Sequence, residues 1–177
     1  MARAVGPMKA YVALLRAVNV GGTGKLPMST LKEMCEKVGL KQVRTYIASG
    51  NAVFKSDAAE AEIKAALEGQ LQVYAGKPVG VLVRSADEMV DVLARNPFSG
   101  QPGNRTVALF VDDPLPANAL DNASGLAREQ LRLGEREIYI FYVDGMADSR
   151  LRIPAGKTGT ARNMNTVAKL AEMAAAL

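Results

Sequence analysis

The chain has 177 residues, 22 Lys and Arg against 18 Asp and Glu (net charge +4), and is 49% hydrophobic and 23% charged, a composition that excludes a disordered chain. With one cysteine and no histidine, it can hold no intramolecular disulfide, no Cys/His zinc site, no Ser-His-Asp triad and no Cys-His dyad. Carboxylate, lysine and tyrosine chemistry remain, and the composition points away from an enzyme and from any cofactor.

Residues 1–7 lack the apolar stretch of a secretory signal and read as a short disordered leader. Residues 8–16 read as a buried strand, with Val12 and Leu14 on one face and Tyr11, Ala13 and Leu15 on the other. A glycine-rich loop over 17–25 follows. Apolar positions Met28, Leu31, Met34, Cys35 and Val38 then recur at spacings of three and four, so a helix is expected with Pro27 near its start, Gly39 as its stop and Cys35 in its core stripe. Strands at 42–47 and 51–56, rich in Val, Ile, Thr, Tyr and Phe, meet around Ser49-Gly50-Asn51 as a hairpin. A helix over 58–73 and the breaker Gly76-Lys77-Pro78 lead into a strand at 79–84. The order β-α-β-β-α-β is the split β-α-β pattern of ferredoxin-like domains.

A helix over 85–95 and the breaker Asn96-Pro97 open the second half. Strands are expected at 105–112, 129–133 and 136–143, with a short helix near 116–124 and further helical segments towards the end, a β-α-β-β-α order. The fold class is therefore α+β: a ferredoxin-like subdomain over 8–84 packed against a related α+β subdomain over 85–177, which ends in a basic segment and a terminal helix, the alternative being one compact domain overall. The longest apolar runs are far shorter than the roughly 20 residues of a membrane-spanning helix, so no membrane is expected and the location is expected to be cytoplasmic. Strands apolar on both faces, and a stretch at 49–56 with Phe54 as its one aromatic, disfavour the base-stacking sheet surface of an RNA-recognition motif.

Gly21-Gly22-Thr23-Gly24-Lys25 invites a phosphate-loop reading, but the motif needs a glycine where Asn19 stands and Ser or Thr where Leu26 stands. Topology offers something else. In a split β-α-β unit the loop after the first strand and the hairpin turn share one edge of the sheet, which gathers Asn19, Gly21, Gly22, Lys25, Ser49, Gly50 and Asn51. Asn and Ser in turns commonly satisfy their own backbone, which is the structural alternative. All the excess charge lies beyond residue 148, where five cations face one anion. There Lys157, Arg162, Asn163 and Asn165 precede an amphipathic helix whose first N–H groups Asn163, Asn165 or Thr166 could cap, and nearby cations make an anion site conceivable.

Four separated blocks, residues 12–22 (VALLRAVNVGG), 43–54 (VRTYIASGNAVF), 96–98 (NPF) and 161–170 (ARNMNTVAKL), resemble the bacterial domain-of-unknown-function 1697 family in the family's order. The resemblance implies an α+β fold with a ferredoxin-like portion and no family-wide activity, catalytic residue or cofactor. Two positions depart from the family pattern: Ala17 stands where glycine is usual, and Met164 where an aromatic is usual. Three functions follow as expectations. The first is binding of a phosphate-bearing small molecule at the polar turn edge together with the C-terminal segment. The second is nucleic-acid binding through the basic tail, and the third is protein interaction or oligomerisation through the terminal helix.

Overall fold

The computed structural model describes residues 7–19 and 25–177, so most of the expected leader and the glycines Gly21 and Gly22 lie outside the described residues. The chain divides into two compact units, one made of its described residues up to Met89 with Leu170–Leu177, the other of Val90–Lys169.

In the first unit β1 (Lys9–Leu15), β2 (Lys41–Thr45), β3 (Asn51–Ser56) and β4 (Val81–Ser85) form one sheet in the order β2-β3-β1-β4, with every neighbouring pair antiparallel. Helices α1 (Met28–Lys37) and α2 (Glu60–Ala75) complete the expected ferredoxin-like arrangement. The strand period of two sends Tyr11, Ala13 and Leu15 into one cluster with Phe54, Val81 and Val83. Leu31, Met34 and Cys35 of α1 and Ile63, Leu67 and Leu71 of α2 fill the same cluster. Full burial of each such aliphatic side chain is worth about 1.5–3 kcal/mol, more than any local propensity on these short helices. Val12, Leu14, Val53 and Leu82, which face the other way, are buried too. Gly39 (φ +90°) ends α1 and Gly76 (φ +71°) ends α2, both at left-handed angles that glycine takes without strain.

The rim of β4 is covered by side chains of α2. Glu68 accepts the Val81 N–H at 3.0 Å, Lys64 donates to the Val81 carbonyl at 2.6 Å, and the two side chains bridge each other at 3.1 Å. An ion pair one helical turn apart thus occupies both polar backbone groups of a residue on an edge strand.

The second unit repeats the strand order of the first. β5 (Thr106–Phe110), β6 (Gln130–Leu133), β7 (Glu137–Phe141) and β8 (Thr160–Asn163) run β6-β7-β5-β8, again antiparallel throughout, so they take the places of β1 to β4 in turn. The helices differ. α3 (Ala86–Ala94) and α4 (Met164–Ala175) are present, but the short helix expected near 116–124 is not. That stretch is a run of tight turns closed by the N–H groups of Ala119, Asp121 and Ala123 on the carbonyls of Pro116, Asn118 and Leu120. Pro116, with Pro114 just ahead of the stretch, and the turn-forming Asn118, Asp121 and Asn122 account for it, since proline breaks a helix and the polar side chains compete with a helical backbone. β8 answers to no expected element, and between β7 and β8 stands only a 3-10 turn, Pro154–Gly156. Ile138 and Ile140 of β7 and Val107 of β5 therefore pack under turn segments, with Leu115, Leu120, Leu151 and Ile153 lying partly buried against them.

Candidate functional site

The expected edge exists. Asn19, just beyond β1, donates through Nδ2 to the carbonyls of Leu26 (2.9 Å) and Ala48 (2.8 Å), and its Oδ1 accepts the Leu26 N–H at 2.6 Å. One side chain thus holds the approach to α1 and ties it to the β2–β3 turn. Asn51 is fully buried and donates to the Tyr46 carbonyl and to Ser49 Oγ, both at 2.9 Å. Gly50 sits at φ +90° against Leu15 and Val18 and accepts the Leu15 N–H at 2.8 Å. Asn19, Ser49, Gly50 and Asn51 are brought together, and the bonds they make are those that hold the turns.

The opening lies beside them. A cavity of about 280 Å³ is lined by Ala17, Val18 and Asn19 from the loop after β1, by Lys25 and Leu26, and by Leu71, Tyr74, Ala75, Lys77 and Val79 from the end of α2 and the turn behind it. Its position follows from the sheet register, because Leu15 at the end of β1 pairs with Val81 at the start of β4 and Arg16 N–H bonds the Gly80 carbonyl at 2.9 Å. The loop leaving β1 and the turn entering β4 must then be neighbours. Tyr74 crosses between them, its hydroxyl donating to the Lys25 carbonyl at 3.1 Å. Lys25 and Lys77 are both exposed. The wall is also strained: Ala17 (φ +53°) and Asn19 (φ +54°) hold left-handed angles without being glycine, and Ile47 (φ +51°) does so in the turn that Asn19 grips.

Sequence reasoning named Asn19 and Lys25 of this wall and missed Tyr74 and Lys77. The signal was available, since the argument that joins the first loop to the hairpin also brings in the turn Gly76-Lys77-Pro78.

The residues expected from the C-terminal segment belong to the second unit and have tasks there. Arg162, on β8, is 7% exposed and donates to Thr160 Oγ1 at 2.7 Å and to the Ala161 carbonyl at 3.0 Å; burial pushes its guanidinium down to about 10. Asn163 caps α4, its Oδ1 accepting the Thr166 N–H at 2.9 Å. Asn165 is exposed and packs against Gly103, where a side chain would not fit, and Lys157 is exposed beyond the 3-10 turn. Met164 is buried.

Other chemistry is sparse. Cys35 is wholly buried, and desolvation first, then Glu36, pushes its thiol up to about 12, far from a nucleophile. Among the described residues no cluster of three or more His, Cys, Asp or Glu side chains could hold a metal ion, and no helix is long and apolar enough to cross a membrane.

No curated protein matches the chain. Among solved structures it is similar to the conserved bacterial protein SP0830 from Streptococcus pneumoniae, at 25% identity and a TM-score of 0.78 over 94% of this chain and 99% of that one. Residues 8–139 match the model of the family described as "Protein of unknown function (DUF1697)", and with three quarters of its length so matched the chain belongs to that family.

Proposed function

We propose that the first unit binds a small phosphate-bearing molecule in the cavity between the loop after β1 and the turn before β4. The observation that carries this reading is a coincidence of three features: an open cavity of about 280 Å³, exposed ammonium groups of Lys25 and Lys77 on its wall, and backbone strain at Ala17 and Asn19 in that wall. Strained angles outside glycine persist where surrounding structure holds them, and they gather at binding sites. Here Asn19 supplies the restraint through its three bonds. Ser49, Gly50 and Asn51 brace the hairpin that Asn19 grips, so the polar edge is the scaffold and the lysines meet the ligand. Lysine serves phosphate as a point charge, which suits a pocket whose described lining carries two lysines and no arginine.

The test is thermal stability of the full chain with ribose 5-phosphate and with pyrophosphate. Ligand at a hundred times its dissociation constant adds about 2.7 kcal/mol, which raises the melting temperature of a chain this long by roughly 5–10 °C. Lys77→Ala and Lys25→Ala should each weaken binding roughly tenfold, the worth of one charged hydrogen bond. No shift with either compound, or a shift that survives the double replacement, would remove the proposal.

A further inference from the structure

We infer that the phosphate-bearing ligand also carries a planar heteroaromatic ring with N–H donors, the chemistry of a nucleoside monophosphate; this rests on the phosphate reading above. The first observation is size. A cavity of about 280 Å³ holds much more than an inorganic phosphate, given that a water occupies about 30 Å³ of liquid. The second is the lining beyond the lysines. Val18, Leu26 and Leu71, nearly covered at 8%, 6% and 1% exposure, form an aliphatic floor beside the half-buried Val79, an apolar lining that suits the face of a flat ring better than a hydrated ion.

The third is Tyr74. It is a large aromatic left 49% exposed on the last turn of α2, and its ring is held at both ends, by the helix backbone and by the hydroxyl bond to Lys25. An aromatic already fixed in place loses little freedom when a second ring stacks on it. The fourth is electrostatic. α2 ends at the cavity, with Tyr74 and Ala75 of its last turn in the lining and the Gly76 N–H capping the Gln72 carbonyl. Helix-end carbonyls repel phosphate and accept N–H groups. The phosphate is thus assigned to Lys25 and Lys77, and the donors of the ring to the end of α2.

Titration calorimetry of the full chain separates this inference from the reading beneath it. The probes are the four ribonucleoside 5′-monophosphates, the corresponding nucleosides, ribose 5-phosphate and a 5′-phosphorylated pentanucleotide. At least one monophosphate should bind about tenfold more tightly than ribose 5-phosphate, the lower end of what one base stacked on an aromatic gains. Tyr74→Leu should abolish that gain, read as the ratio of monophosphate to ribose 5-phosphate affinity in the same variant with circular dichroism reporting an intact fold, while Tyr74→Phe should keep most of it. Equal affinity for ribose 5-phosphate and every monophosphate, or a gain that survives Tyr74→Leu, overturns the ring and leaves the phosphate reading standing. Binding of none of the phosphates overturns both. A pentanucleotide that binds with the same Tyr74 dependence, and more tightly than the free monophosphates, supports the ring and makes a nucleic-acid end its source; the reverse order makes it a free nucleotide.

Discussion

Ala17 and Gly50 lie on one end of the first sheet and carry opposite lessons about the left-handed backbone. Ala17 holds φ +53° with a Cβ, and such an angle costs an L-residue about 1–2 kcal/mol. Ala17→Gly should therefore raise the unfolding free energy by about 1 kcal/mol, after the greater freedom of glycine in the unfolded chain is set against the relieved strain, seen as a higher urea midpoint with no change in slope. Gly50 is the converse. A Cβ there would stand 2.6 Å from Val18 Cγ2 and 2.8 Å from Leu15 Cβ, at φ +90°, so Gly50→Ala meets both a clash and an unfavourable angle. It should destabilise by about 2 kcal/mol or more in the same measurement. Equal responses at the two positions would show that the angles are not what matters.

At the scale of elements, the terminal helix shows how one side chain starts a structure. β8 ends at Asn163 and α4 begins at Met164, so the chain turns from strand to helix with no intervening residue, and the Asn163 Oδ1 bond to the Thr166 N–H makes that change possible. Asn163→Ala should cost about 1 kcal/mol of stability, and Asn163→Asp should cost little, because a carboxylate caps as well and favours the positive helix end. Chemical denaturation of the two variants checks this. A loss as large in the Asp variant would mean that Asn163 acts elsewhere. Val167, Leu170, Ala171 and Ala174 of α4 are buried.

For the molecule as a whole, several buried acids set its behaviour at high pH. Desolvation raises Cys35 to about 12, and desolvation followed by nearby carboxylates raises Tyr11, Tyr139 and Tyr142 above the usual phenol value. A raised acid favours the native state while it keeps its proton, so its contribution is complete below its ordinary value of 9.0 for cysteine and 10.0 for tyrosine. Above those values the unfolded chain ionises first and the contribution is lost as pH climbs towards the native value. Arg162 runs the other way, since its lowered value means that the cost of burying its charge eases as pH rises through about 10. Four acids against one base predict a net fall in unfolding free energy from about pH 9 upwards. Denaturation at pH 8, 9.5 and 10.5 measures it, and Cys35→Ala should flatten the part that starts earliest. Level stability across that range would refute the account.

The sequence by itself determined the first unit almost completely. Period-two strands, three-and-four helix stripes, and turns at Gly39, Gly50 and Gly76 are short-range signals, and split β-α-β topology alone sets Asn19 beside the hairpin. Tertiary structure alone decided the rest. β8 is a strand because Thr160–Asn163 pairs with β5, not because four residues around Ala161 and Arg162 prefer to extend. The stretch near 116–124 forms turns, closed by the Ala119, Asp121 and Ala123 N–H groups. Arg162 has the chemistry of an anion ligand and is buried by the strand that carries it. The cavity is made from residues 17–19, 25–26 and 71–79, which are distant in sequence and meet only through the pairing of Leu15 with Val81. Local patterns specify elements because their physics reaches a few residues along the chain; a site belongs to the contacts between elements, and those exist only once the sheet has closed.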